Sequence, residues 1–193
     1  MKIAKYLVIA STALVLSLSA MAKDSQPATN AAQLVAANAV LESSIDARTA
    51  KAGDAVTARL TSSVHLPGGT ELQRNTLLTG HIDQVQTAVN HGLSTVALTF
   101  DKAQPKGGQA IAIKSTILGI YPSGTSLLPP DLNPQTTIEQ APNSKHGYSL
   151  TSDMQGSNSG VLKADGKNVR LGDGAELQFA VAPITAGSAA NGN

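Results

Sequence analysis

The chain has 193 residues, with 14 lysines and arginines against 13 aspartates and glutamates, and it contains neither cysteine nor tryptophan. The missing cysteine excludes disulfides, thiolate metal sites and cysteine nucleophiles. A near-neutral charge gives no electrostatic case for nucleic acid or an anionic membrane surface. The 3% aromatic content weighs against stacked-ring platforms for glycans or single strands, and against the aromatic girdles of a membrane β-barrel.

The first 22 residues have the layout of a secretory signal peptide. Lys2 and Lys5 open the chain, Tyr6 to Leu18 is apolar and uncharged, and Ala20-Met21-Ala22 precedes Lys23. The apolar run falls short of the roughly 20 residues a spanning helix needs. Removing this segment takes away two lysines and no acids, moving the formal charge from +1 to −1. No later stretch approaches a membrane-spanning length. The product is expected to be exported, to the periplasm or the cell surface.

Residues 23–33 read as a loose leader and 34–185 as one β domain. In that domain Val35, Ala37, Ala39, Leu41 and Ile45 share one parity, as a strand requires. Lys51, Gly53 and Asp54 mark a turn. Val56, Ala58 and Leu60 alternate with Thr57, Arg59 and Thr61. Pro67-Gly68-Gly69 is a turn. Leu78, Gly80 and Ile82 keep one parity and Val85 breaks it, which predicts a bulge or strand end near Asp83. After a turn at Asn90-His91-Gly92, Val96, Leu98 and Phe100 face one way. Pro105 to Gly108, with Gly107, makes the next turn, and Ile111, Ile113 and Ile117 follow on one parity. Leu77 to Leu118 therefore predicts a three-stranded antiparallel meander.

From Gly119 to Gly160 the alternation fades into a Pro/Ser/Asn-rich stretch, read as a long irregular insertion that is either functional or flexible. Order returns at Val161. Asp165-Gly166 predicts a hairpin with a type I′ turn between Val161-Leu162 and Val169-Leu171. Leu177, Phe179 and Val181 form the closing strand, and 186–193 is a polar tail.

One internal repeat stands out. Val64 to Gln73 reads VHLPGGTELQ and Val169 to Gln178 reads VRLGDGAELQ, identical at six of ten positions. Each copy sets a strand end before a Gly-rich turn, the second at Gly172 and Gly174, and then resumes with Glu-Leu-Gln. Repeated strand-turn-strand units point to an all-β, single barrel-like or sandwich domain of antiparallel strands.

No motif for hydrolysis, phosphate binding or a helical zinc site is present, and no catalytic residue, cofactor or metal ligand set is assigned. His65, His81, His91 and His146 lack ligand spacing. His81 and Asp83 would share a strand face, but no third ligand accompanies them. Asp46, Asp54, Asp83 and Asp101 are candidate carboxylates for glycoside hydrolysis, which needs two about 5 to 9 Å apart in a cleft. Each sits at a strand end or turn, where aspartate serves the backbone.

The order of several segments resembles a known family. Leu66-Pro67-x-Gly69-Thr70-x-Leu72 precedes Leu78-x-Gly80-x-Ile82-Asp83. Gly92-x-Ser94-x-Val96-x-Leu98-x-Phe100-Asp101 and Pro105-Lys106-Gly107-Gly108 follow. This succession resembles the C-terminal β-barrel of the TrbI-like conjugation and type IV secretion family, and Val169 to Val181 is similar to the closing segment of those barrels. The likeness covers roughly Gly53 to Leu118 and Val161 to Ala182. It implies a non-enzymatic subunit of an oligomeric envelope ring. The chain departs from the family where a signal leads almost directly into the barrel. It departs again where the polar 119–160 stretch replaces apolar helices, because that stretch cannot face lipid. The expected role is a structural or interaction module whose partner is an envelope protein or a second copy. A cell-wall or glycan binding module is the alternative, and a carboxylate hydrolase the more distant one.

Overall fold

The structure, a computed structural model, describes residues 33–128, 130, 132, 137–141 and 147–184. The signal segment, all but the last residue of the leader, His146 and the tail lie outside the described residues. Thirteen strands follow in chain order: β1 Val35–Leu41, β2 Ile45–Asp46, β3 Ala55–Leu60, β4 Val64–His65, β5 Glu71–Leu72, β6 Leu77–Gln86, β7 Leu93–Gln104, β8 Ile111–Tyr121, β9 Thr137–Gln140, β10 Ser149–Asp153, β11 Gly160–Asp165, β12 Arg170–Leu171 and β13 Glu176–Pro183. The described residues hold no helix.

Antiparallel pairing runs β6-β3-β1-β13-β8-β7, and β7 pairs back onto β6, so six strands close a barrel. Closure shortens the unpaired edges those strands could offer another chain. From β7 a second layer branches outward in the order β11-β10-β9. Inward parity is apolar on three strands: Ala37, Ala39 and Leu41 on β1, Val56, Ala58 and Leu60 on β3, and Leu177, Phe179 and Val181 on β13 are all buried. Phe100 and Phe179 meet edge to face at 5.2 Å between centroids, with their planes at 76°. Such pairs add to the burial their area already provides.

The alternation places most strands as expected, and five features differ. The stretch from Val35 to Ile45 divides into β1 and β2, because Glu42-Ser43-Ser44 turns the chain before β2 joins β12. The meander of β6, β7 and β8 forms, yet β7 meets β8 only through Lys102↔Ala112 and Ala103↔Ile111. Within 119–160, β8 continues to Tyr121, β10 pairs onto β11, and β9 pairs onto β10. Their sequences carry little alternation, since only Leu150 and Ser152 of β10 are fully buried.

The predicted Asp165-Gly166 hairpin is corrected. β11 pairs with β7 and β10, whereas β12 pairs with β2 in a separate two-stranded sheet. A type I′ turn needs positive φ at both central residues. Gly166 has φ 71° and Asp165 is not left-handed, so the chain crosses over instead of folding back. The true I′ geometry lies at Asn90 (φ 50°) and His91 (φ 60°), closed by the Gly92 N–H donating to the Val89 carbonyl at 2.9 Å.

The two decapeptides bury the same three apolar positions, Val64, Leu66 and Leu72 against Val169, Leu171 and Leu177, but differ in pairing. The first closes on itself as β4 and β5, through Val64↔Leu72 and His65↔Glu71 over Pro67-Gly68-Gly69. The second sends β12 to β2 and β13 to β1 and β8. Its Gly174 N–H donates to the Leu41 carbonyl, so that turn seals the end of β1. The turn at Gly107-Gly108 closes β7 to β8, with the Gly108 N–H on the Pro105 carbonyl at 3.1 Å.

Candidate functional site

Between β6 and β7 the register shifts twice. Thr79 pairs with Lys102 and Gly80 with Phe100, which leaves Asp101 as the extra residue on β7. Ile82 pairs with Leu98 and Gln84 with Ala97, which leaves Asp83 as the extra residue on β6. The predicted irregularity at Asp83 is thus a bulge. Bulges bend a strand and re-aim the side chain of the extra residue, and here both re-aimed residues are aspartates.

Asp83 is fully engaged by its neighbours. Its Oδ2 accepts from the Thr99 hydroxyl at 2.7 Å, and its Oδ1 lies 3.1 Å from His81 Nε2. The carboxylate sits between the hydroxyl and the imidazole. The imidazole is therefore not placed to take the Thr99 proton, as nucleophilic activation requires.

The remaining aspartates are distributed over two other places. Asp46 and Asp54 both line a hollow of about 150 Å³. Asp46 Oδ1 accepts from the Arg48 side chain and main chain, both at 3.0 Å, and Arg48 Nη2 reaches Oδ2 at 2.6 Å. The Arg48 guanidinium, then its N–H, hold the Asp46 carboxyl down to about 2, with Arg170 adding a weaker pull. A glycosidase acid needs the opposite shift, upward. Asp54 Oδ2 accepts from the Lys51 N–H at 2.8 Å and so closes a turn. No group of three or more His, Asp or Glu residues converges among the described residues.

Asp46 carries a testable pH dependence. A carboxylate whose folded pKa is lowered adds stability above its unfolded value, and that stability is lost as pH falls toward the folded value. Asp46→Asn is expected to lower the melting temperature at pH 7. The gap should close between about pH 4 and pH 2 in a calorimetric pH series.

Asp101 lines a different cavity, a cleft of about 240 Å³ where β7 and β8 diverge. Ile184, Lys114 and the turn at 156–159 line it, over the buried Phe100 and Ile113. Where the strands part, the backbone of Phe100 loses a strand partner. Two buried serines replace it. The Phe100 N–H donates to Ser159 Oγ at 2.9 Å, and Ser115 Oγ donates to the Phe100 carbonyl at 2.7 Å. The hydroxyls lie 2.8 Å apart, and the Ser115 proton is already committed. Ser159 therefore donates to Ser115, and the ring of hydrogen bonds is closed.

The same device recurs around the barrel. Ser94 Oγ donates to the Gln86 carbonyl at 2.9 Å and accepts from the Val169 N–H at 3.1 Å. Ser152 Oγ donates to the Ile117 carbonyl. The Gln140 side chain caps both the N–H and the carbonyl of Ile120, at 3.0 and 3.1 Å. Buried backbone groups have to be paired, and these side chains pair them wherever strands part. Sequence reasoning did not single them out. The signal was present in Ser115, which interrupts the apolar parity of Ile111, Ile113 and Ile117.

Phe100, Phe179 and Tyr148 are buried, and the Tyr121 ring lies across Gly119, where a Cβ would come within 2.7 Å of it. Among the described residues these four rings are committed to packing and form no stacked platform. No helix among the described residues is long and apolar enough to cross a membrane.

One structural feature remains available to a partner. Among the described residues β9 is the end strand of the nine-stranded sheet and pairs on one side only, with β10. Thr137 and Glu139 are exposed on it, and Ile138 is half-buried.

No family model, no curated protein and no solved structure matches the chain.

Proposed function

We propose that the protein is an exported, non-enzymatic structural or interaction module of the bacterial cell envelope, and that it takes up an extended partner segment along β9. The observation that carries this reading is the outer edge of β9, which has no strand partner among the described residues. An exposed edge offers unpaired N–H and carbonyl groups to an incoming strand, with side-chain pockets for selectivity. The signal-like start of the chain supports the envelope placement. The resemblance to TrbI-like barrels supports a scaffold role, in which the partner is a second copy or another envelope protein. The aspartates support it as well, because each of Asp46, Asp54 and Asp83 is bound into local structure.

A photo-crosslinker at Glu139 tests the reading, with one at Lys106 on the β7–β8 turn as control. The expected result is a discrete adduct from Glu139 alone, in cells that make the protein. Equal labelling at both positions, or none at Glu139, would sink it. Light scattering on residues 23–193 then assigns the occupant. A closed oligomer points to self-assembly into a ring, and a monomer points to a separate partner.

A further inference from the structure

The cleft between β7 and β8 has a chemistry that the strand-edge reading does not use. Phe100 and Ile113 lie beneath its floor as buried core side chains, and the apolar surface open to a ligand is Ile184, 49% exposed at the mouth. Two half-buried charges of opposite sign line the same space, the Asp101 carboxylate and the Lys114 ammonium. Among the described residues neither forms an ion pair, with the other or with any third group. Asp101 is there because of the β7 bulge, which re-aims it. The turn at 156–159 adds serine and asparagine side chains to the lining. It is fixed by the Gln155 N–H on Asp153 Oδ1 at 2.8 Å and the Gly156 N–H on the Asp153 carbonyl at 3.0 Å.

We infer that this cleft binds a small zwitterion with an apolar side chain, a free hydrophobic amino acid or the end of a short peptide. The side chain would lie against Ile184 and the methylene stem of Lys114. The ligand carboxylate would meet Lys114 and its ammonium would meet Asp101, each as a charge-assisted hydrogen bond. Size supports this class, since about 240 Å³ is below the range that holds drug-sized ligands. The serine ring beneath the cleft already satisfies the strand backbone at Phe100, so the ligand is not needed to complete the fold. A ligand with so few atoms is expected to bind with a dissociation constant on the order of 1 mM.

Amide chemical-shift titration of the full chain suits that range. The probes are leucine, Gly-Leu, Leu-Gly and N-acetyl-leucinamide, which keeps the side chain and loses both charges. Saturable shifts are expected at 113–115 and 156–159 with leucine or one of the dipeptides. They should weaken about tenfold or more for N-acetyl-leucinamide, and likewise in Lys114→Gln and Asp101→Asn. Preferred binding of leucine would identify a free amino acid. Preferred binding of Gly-Leu or Leu-Gly would identify a peptide carboxyl or amino end. Equal binding of N-acetyl-leucinamide would overturn the inference, as would no saturable shift at tenfold above the expected constant. The spectra of the variants report their folding directly, so a collapsed variant cannot pass for lost recognition.

Discussion

Replacing Gly80 by alanine is expected to destabilise the protein by about 3 kcal/mol, at the upper end of what overpacking costs. A Cβ at this position would stand 1.8 Å from the Thr99 carbonyl oxygen and 2.6 Å from Phe100 Cα. Both are backbone atoms, so no rotamer change relieves the clash. β6 would have to lift from β7 at the point where the register shifts and Asp101 bulges outward. In a chain of this size such a loss lowers the melting temperature by roughly 6 to 12 °C. Thermal or urea unfolding followed by circular dichroism reads it. Gly172→Ala is the control, because a Cβ there meets nothing within 4 Å and the backbone is not left-handed. Equal midpoints for the two variants would show that β6 and β7 do not approach so closely.

Ser159→Ala is expected to cost about 2 to 3 kcal/mol, more than loss of a small exposed hydroxyl would suggest. Ser159 is 1% exposed, and its Oγ is the acceptor for the Phe100 N–H. Alanine leaves that donor buried and unpaired, which costs about 1 to 3 kcal/mol by itself, and it also removes the proton that Ser159 gives to Ser115. The reciprocal change, Ser115→Ala, strands the Phe100 carbonyl. Because the two hydroxyls belong to one ring, the double variant should lose less than the two single losses combined, with a coupling of about 1 kcal/mol or more. Strict additivity in a double-mutant unfolding cycle would mean that the serines act separately.

These two positions show what was legible in the sequence. Gly80 falls on the same parity as Leu78 and Ile82, so the strand was readable from it. The reason for glycine was not, because the atoms that exclude a side chain belong to another strand. Ser115 was readable as a break in an apolar face, yet only the divergence of β7 from β8 gives it a task. The bulge at Asp83 was visible because it changes side-chain parity within a single strand. Asp165-Gly166 misled for the complementary reason. A local turn signal says that the chain reverses and not what it meets afterwards, and here β12 finds β2 instead of β11. β9 and β10 escaped notice since half-polar strands such as Thr137–Gln140 acquire their structure from the neighbouring ladder, not from their own alternation. The cleft could not be foreseen at all, because its charges lie on two strands whose pairing stops short of them.

The seam between β1 and β13 has a kinetic meaning. The barrel closes where Val35 lies opposite Val181, so the earliest and latest strands of the domain are neighbours. Contacts this distant along the chain are slow to form, since a long loop must be closed before they return any free energy. A growing or threading polypeptide therefore holds β1 without a mate until its far end arrives. Such late closure keeps the chain pliable until both ends of the domain are available, and compact only afterwards.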